Sequence, residues 1–572
     1  MAARTGPGNP LSLSSPVMTA AMEMPRSKTL PGLLDEMASR YPHREAIVAS
    51  ERRLTYVQFQ EQVRQLAKGL LGLGVRRGDK VALLMGNRAE WLLMDFAVAS
   101  LGATLVALST WSTPRELEYV LRHGDVTTLI TVDHFLRSDY MAMLAEICPK
   151  LPASPPGRLR SQRLPDLRRV VCLGERSYPG TYRFEDLWEL GDAVSDPDLE
   201  ALRHQVAPAD IAYILYTSGT TATPKGVQLQ HYGLIENMFN IGERQHLTEA
   251  DRLWLAVSLF WGLGCENALF ALMTHGGCIV LQEHFEPGEA LRLMEREACT
   301  VYYGTPNMTA ALFEHLDRPR HNLRALRTGA TIGPPQAIQM AIDLGATHIC
   351  NVYGLTECYG NCSLTDAEDP VEVRLHTIGR PLPGVEVKIA DPVTRRSLPP
   401  GGVGEICIRG YLMPGYYKDL EKNAAAFDAE GFLLSGDLGS FDGDGRLRFR
   451  GRIKDVVKTG GLNVSPLEVE EILLAHPKVD QAHVVGVPDR RNEEVLAAVV
   501  ALKEGQSASG EELRAFCRER LAAFKVPEYF RFRKRADVPL TATGKVQKVK
   551  LREELLLELE AQEQEDAGRD PR

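Results

Sequence analysis

From Thr29 to about Arg450 the chain alternates two kinds of segment. Short apolar runs, VALLM, TLVAL, TLITV and VVCLG, are separated by helix-like stretches such as LTYVQFQEQVRQLAKGLLGLG. That alternation predicts α/β layers built on mostly parallel strands. The Pro/Arg-rich stretch LPASPPGRLRSQRLPDLRR reads as an exposed loop inside this region and not as a boundary. At 572 residues the chain exceeds what one core can organise, so two or more domains are expected.

Near Gly451 the character changes. Ser465-Pro-Leu-Glu468 reads as a capping box with proline at the first helical position, and the runs AHVVGV and VLAAVVAL read as strands. A second capping box, Ser509-Gly-Glu-Glu512, opens the helix ELRAFCRERL. A small α+β unit with its own core follows from this pattern, and the charged end LEAQEQEDAGRDPR reads as a frayed tail.

Charge and composition exclude several classes. A net charge of -9 argues against a nucleic-acid binder, which carries a basic footprint. The ten cysteines are scattered without a CxxC pair, and no histidine flanks Cys358 and Cys362 at ligand spacing, so reduced buried thiols are expected. The segment Leu253–Met273 is apolar but carries Glu266 and Asn267, with Gly262 and Gly264 in its middle. It reads as strand, turn and buried helix, not a membrane span. Residues 1–28 have no continuous apolar core and read as a disordered Pro/Ser/Gly leader. Acidic residues are absent before Glu23, which leaves an organelle transit peptide open beside the cytoplasmic reading.

One loop carries an unusual density of hydroxyls. YTSGTTATPKG, Tyr216 to Gly226, follows the run IAYIL and precedes a helix expected near His231. A strand–loop–helix unit of this kind converges backbone N–H groups on phosphate oxygens, with Lys225 adding charge. It does not match GxxxxGK[ST]. Downstream stand NVYGLTECYG, LLSGDLG, GRIKDVVKTGGLNVSPLEVEE and PLTATGKVQK.

These blocks, in this order, closely resemble the adenylate-forming superfamily, in its acyl-CoA synthetase or AMP-dependent CoA ligase branch, over roughly residues 30 to 553. The resemblance implies a large multi-layer α/β domain with mixed sheets, 29–451, a hinge at 452–456, a small mobile α+β domain, 457–556, and a tail, 557–572. It implies ATP, Mg²⁺ and CoA as reaction partners. ATP or AMP would be bound by Thr217, Ser218, Gly219, Thr220, Thr221, Lys225, Asn351, Gly354 and Thr356. Tyr353 would lie on the adenine, Gly329-Ala330-Thr331 along its edge, and Asp437 with Arg452 on the ribose. Glu357 would hold Mg²⁺, which keeps its waters and takes only one or two carboxylates. Singly, each of these residues is more often a solvated turn or surface charge; only the joint pattern implies a site.

The implied reaction has two steps, with Lys545, Glu357, Thr356 and Lys225 as the catalytic set. A carboxylate attacks the α-phosphate of ATP, and a thiol then expels AMP from the acyl-adenylate. In the family the lysine matching Lys545 neutralises two approaching anions, the kind of preorganised electrostatics that dominates catalysis. The small domain would swing about Lys454 and present Thr459-Gly460-Gly461 for the thiol step. Gly460, Gly461, Leu462, Phe524 and Lys525 would contact CoA, with Arg531, Arg533, Lys534 and Arg535 nearby. Ala222 departs from the family's usual glycine, and costs roughly 1–2 kcal/mol if that position needs φ > 0.

The acyl pocket would be lined by Phe260, Trp261, Gly262, Leu263, Tyr303, Thr305, Gly329, Gly354 and Cys358. These are apolar groups without a partner for a substrate ammonium, which fits a fatty, alicyclic, aromatic or polycyclic acid. A carrier-protein pantetheine stays open as an alternative acceptor, as does a non-catalytic nucleotide-binding role. A monomer or a homodimer is expected, with no nucleic-acid partner and no membrane insertion.

Overall fold

A computed structural model describes residues 22–50, 52–217, 224–459, 462–489, 493–540 and 546–567. The apolar runs are strands of two large sheets. In one, the order is Lys225–Gln230, Ile211–Thr217, Thr104–Ala107, Lys80–Leu84, Val126–Val132, Arg169–Leu173, Tyr182–Arg183. All its neighbours run parallel except the antiparallel edge strand Lys225–Gln230. The other sheet has a parallel centre, Glu45–Ala49, Cys278–Leu281, Arg252–Leu255, Val301–Gly304, Thr328–Thr331 and His348–Tyr353, closed at both edges by antiparallel strands.

The helix Ala89–Ser100 explains how the two sheets share one core. Its sequence, AEWLLMDFAVAS, is apolar almost all round, and every residue but Glu90 is buried. Phe96 meets Phe59 at 5.3 Å and Phe270 at 6.0 Å between ring centroids, while Trp254 stacks on Tyr302 at 5.5 Å. Asp95, on the same helix, accepts a 2.6 Å hydrogen bond from the Tyr213 hydroxyl on a strand of the first sheet.

A third, antiparallel sheet orders Glu386–Ala390, Gly404–Arg409, Leu433–Phe441 and Leu447–Arg452. Its last strand leads through the single turn Ile453–Asp455 into the small lobe. There Val479–Asp489 and Glu493–Leu502 form a long antiparallel pair. One face packs against the helices Pro466–Leu474 and Gly510–Arg518, and the other against Leu551 and Leu555 of Lys548–Ala567.

Two expectations change. Ser465 is the N-cap residue of its helix but makes no capping bond; its hydroxyl donates 2.6 Å back to the Arg450 carbonyl. The helix begun at Lys548 runs to Ala567, through most of the stretch read as a tail. Leu, Glu, Ala and Gln dominate LREELLLELEAQEQ and are good helix formers, so the helix extends once Leu551 and Leu555 anchor it. Among the described residues no helix is long and apolar enough to cross a membrane, and Leu253–Met273 divides into the end of a strand, a bend and the consecutive helices Leu263–Ala268 and Leu269–Met273.

Burial pushes the Asp95 carboxyl from its ordinary 3.8 up to about 8, despite the Tyr213 bond that lowers it. Within that window the unfolded chain releases a proton that the folded one keeps, so stability falls as pH rises and levels off above it. Asp95→Asn, which still accepts from Tyr213, is expected to melt above wild type by an amount growing from pH 5 to pH 8, about 2–5 °C in all. A constant offset across that range in calorimetry contradicts this assignment.

Candidate active site

The strands Arg252–Leu255, Val301–Gly304, Thr328–Thr331 and His348–Tyr353 are parallel and adjacent, so the residues that follow them gather along one edge. Crevices at the carboxyl ends of such strands are where open α/β sheets bind ligands. The expected acyl-pocket residues lie there, with Ala330, Thr331, Tyr353 and Glu357.

At one end stands a buried carboxylate. Asp437 Oδ2 accepts a 3.0 Å hydrogen bond from the Tyr353 hydroxyl, and Arg452 Nε approaches Oδ1 at 3.5 Å. Asp437 and Arg452 are cross-strand partners, which fixes the pair by register. Burial first, and the Asp437 charge second, hold the Tyr353 hydroxyl well above its usual range. It stays a donor.

Four residues past Tyr353, the turn Thr356–Cys358 presents Glu357. Its Oε1 accepts a 2.8 Å hydrogen bond from Tyr416, whose hydroxyl in turn lies 3.4 Å from Lys225 Nζ. The ammonium also sits 4.7 Å from the Tyr416 ring centroid. Burial and the Glu357 charge raise the Tyr416 hydroxyl, which keeps its proton. Tyr416 therefore joins an anion and a cation that the sequence placed in separate motifs. Sequence reasoning missed it; the signal was the GYYKD turn after the strand Gly404–Arg409, which bridges to Val227 beside the phosphate-loop strands. Asn423 fixes this tyrosine further, accepting from its amide at 2.6 Å and donating to its carbonyl at 3.0 Å.

The hydroxyl-rich loop is framed differently from expectation. Thr217 and Lys225 are paired partners in an antiparallel hairpin, and the helix His231–Arg244 begins only after the second strand. KGVQLQ alternates at strand period and completes the sheet edge, so the segment that follows the loop in the chain is a strand and not a helix. Ser218, Gly219, Thr220, Thr221 and Ala222 lie outside the described residues, as do Gly460, Gly461 and Lys545.

Gly329 is imposed by the neighbouring strand: φ is 133° and a Cβ would lie 1.9 Å from the Tyr302 carbonyl oxygen. Ala330 and Thr331 continue this strand. The Thr331 hydroxyl donates to the Gly304 carbonyl, so the segment offers backbone to a ligand, not that hydroxyl. The Asn351 amide is likewise engaged, donating 3.0 Å to the Thr377 carbonyl, and Thr305 caps Pro306–Phe313. Gly354 packs against the Gly360 carbonyl, where a Cβ would lie 2.1 Å away.

On the side expected to receive the acid, Phe260 meets Trp111 edge-on at 4.9 Å, a residue the sequence did not single out. Trp261 is half-buried, and Gly262 leads into the π-helix Leu263–Ala268. The wall is not wholly apolar: Glu266 and Asn267 are buried in that π-helix, and Tyr303 donates to Asn267 Oδ1 at 3.3 Å while accepting from Gln245 at 2.6 Å. A hydrogen bond with Cys362 first, and burial second, raise the Cys358 thiol. All ten cysteines are free and buried.

In the small lobe Phe524 and Leu462 are exposed, but Lys525 pairs with Glu468 at 2.6 Å. Arg531, Arg533 and Arg535 pair with Glu558, Glu554 and Glu314, so the basic run is largely neutralised by carboxylates. The Arg535–Glu314 pair, 2.9 Å long, crosses to the large domain. Lys454 is exposed in the connecting turn Ile453–Asp455.

Among the described residues no cluster of three or more His, Cys, Asp or Glu could hold a metal. Glu357 fits the other arrangement: one half-exposed carboxylate, one oxygen on Tyr416, and no ion pair to it among the described residues. Magnesium held by one carboxylate plus substrate phosphates requires no more.

Residues 34–417 match the AMP-binding enzyme family and residues 468–545 match the AMP-binding enzyme C-terminal domain. The chain belongs to the AMP-binding enzyme family, in its acyl-CoA synthetase branch. It is 39% identical over 535 residues to a Bacillus subtilis protein named as an acyl-CoA synthetase, YngI, covering 92% of this chain and 97% of that one. It is 35% identical to the mitochondrial medium-chain acyl-CoA ligase ACSF2 of Danio rerio, over 92% and 88% of the two chains. The ATP-bound structure of MatB from Rhodopseudomonas palustris superposes with a TM-score of 0.78 at 26% identity, over 92% of this chain and 98% of that one. Members of this family being enzymes, the Tyr416 bridge can be tested kinetically. Tyr416→Phe is expected to raise the KM for Mg·ATP about 5–30-fold while leaving the melting temperature nearly unchanged. An unaltered KM contradicts the bridging role.

Proposed function

We propose that the protein is an ATP-dependent carboxylic acid:CoA ligase that forms an acyl-adenylate and then an acyl-CoA thioester. The observation that carries this reading is the spacing of the two anchor points on one segment. Tyr353 holds Asp437, and Glu357 four residues later meets Lys225 through Tyr416. In this reading Asp437 is the ribose-binding carboxylate and Lys225 the phosphate-binding cation of one nucleotide site, tied together by the segment from Tyr353 to Glu357.

In the first step the acid's carboxylate oxygen attacks the α-phosphorus of ATP, and the bond to pyrophosphate breaks. Lys225 and Lys545 neutralise charge on the phosphates, Thr356 donates to a phosphate oxygen, and Asp437 with Arg452 holds the ribose. Glu357 would hold Mg²⁺, which when bound screens the phosphate charge. In the second step a thiol attacks the acyl carbon, the carbon–oxygen bond to AMP breaks, and the thiol proton leaves to solvent. Two anions are thereby joined where their repulsion is cancelled, the main energetic obstacle to adenylation.

The small lobe is joined to the large domain through Ile453–Asp455, and the Arg535–Glu314 pair across the lobes is exposed, so it contributes little. This supports a swing about Lys454 that exchanges Lys545 for Gly460 and Gly461 between the steps. CoA is the acceptor in this reading, and the acid is fatty, alicyclic, aromatic or polycyclic; the medium-chain ligase named above makes medium-chain fatty acids the first to try. We read the enzyme as cytoplasmic.

Pyrophosphate release over a panel of acids, with and without CoA, tests the activity. Release with acyl-CoA formation is expected; release without a CoA thioester points to a carrier-protein acceptor, and no release from any acid refutes catalysis. Lys545→Ala is expected to slow adenylate formation at least ~100-fold. It should leave thioester formation from supplied acyl-adenylate within about 3-fold of wild type, since it acts on one step only. Equal loss in both half-reactions contradicts the swing.

A further inference from the structure

Glu266 is the most anomalous group near the acyl wall. It is fully buried, and neither carboxyl oxygen has a hydrogen-bond partner among the described residues. A buried carboxyl left unsatisfied costs several kcal/mol as an ion, so it is held neutral. Burial first, then the nearby Cys358 and Glu357, push it far above the carboxylate range.

Its position is set by two glycines. The side chain folds back one helical turn, so a Cβ on Gly262 would stand 2.9 Å from Oε1. Opposite, the chain turns through two left-handed residues, Tyr359 at φ 54° and Gly360 at φ 78°. A Cβ on Gly360 would lie 3.5 Å from Oε2 and 3.1 Å from Asn267 Nδ2. Gly262 and Cys358 belong to the expected acyl wall, so the carboxyl lies against that wall where side chains are missing. Asn361 Nδ2, on the same loop, and Asn237 Oδ1, on the helix holding that loop, are also unpartnered among the described residues.

We propose that Glu266 is a specificity-determining residue that receives a hydroxyl on the body of the acid substrate. This rests on the ligase reading above and narrows its substrate class to hydroxylated acids. A neutral carboxyl suits a hydroxyl because it donates from one oxygen while accepting on the other, and one hydroxyl answers both. An ammonium would demand that Glu266 ionise, burying two charges instead of none. An acid lacking the hydroxyl leaves the carboxyl unpaired, and sites built to bind a hydroxyl reject such analogues strongly.

The experiment compares kcat/KM for pyrophosphate release with matched acids, hydroxylated and unsubstituted, in aliphatic and aromatic series. Wild type is expected to favour the hydroxylated member of at least one pair ~10-fold or more. Glu266→Leu should abolish or reverse that ratio without lowering the melting temperature, because it removes an unsatisfied group. Glu266→Gln, which still donates and accepts, should retain it. Equal use of both members by wild type, a ratio unchanged in Glu266→Leu, or a preference for amino-substituted acids overturns the inference while leaving the ligase reading standing. No turnover of any acid overturns both.

Discussion

The carboxylate of Asp437 is the point on which three parts of the molecule depend. It belongs to the antiparallel sheet, receives the hydroxyl of Tyr353 from the end of the parallel sheet, and faces Arg452, the last residue before the connector to the small lobe. A hydrogen bond to a charged acceptor contributes about 1.5–3 kcal/mol, more than a neutral one. Arg452 is half exposed and 3.5 Å away, so it adds little to that grip and stays available to a ligand. One buried anion thus aligns a rigid wall, a second sheet and the start of the connector to the small lobe.

Around it the site is unevenly held. The parallel strand ends are fixed by backbone ladders, by the Gly329 approach to the Tyr302 carbonyl, and by Tyr416 clamped through Asn423. The small lobe reaches the large domain through a connector and side-chain contacts such as Ser465 to the Arg450 carbonyl and Arg535 to Glu314. A two-step chemistry that needs different groups at one acyl carbon fits that division: a fixed floor, and a lobe whose contacts are weak enough to exchange.

Much of this was legible in the sequence for physical reasons. Short apolar runs such as VALLM and TLITV read as buried strands because turn residues bound them at strand length, and NVYGLTECYG runs off the end of a strand into the turn that carries Glu357. Other features were not legible. KGVQLQ became a hairpin strand because the sheet edge at Ile211–Thr217 was free to pair, which its own sequence does not reveal. Ser465 looked like a cap, but the Arg450 carbonyl, brought close by the interlobe connection, takes its hydroxyl. Tyr416 and Glu266 matter through neighbours 59 and 94 residues away, Glu357 and Gly360, and spacing along a chain carries no trace of such contacts.

The central claim is that Asp437, oriented by Tyr353, holds the ribose of an adenine nucleotide. Calorimetric titration of AMP against its 2′,3′-dideoxy analogue measures this directly. The account predicts that wild type binds AMP ~10–100-fold more tightly than the analogue, and that Asp437→Asn loses most of the difference. Equal affinity of the wild-type protein for the two nucleotides would contradict it.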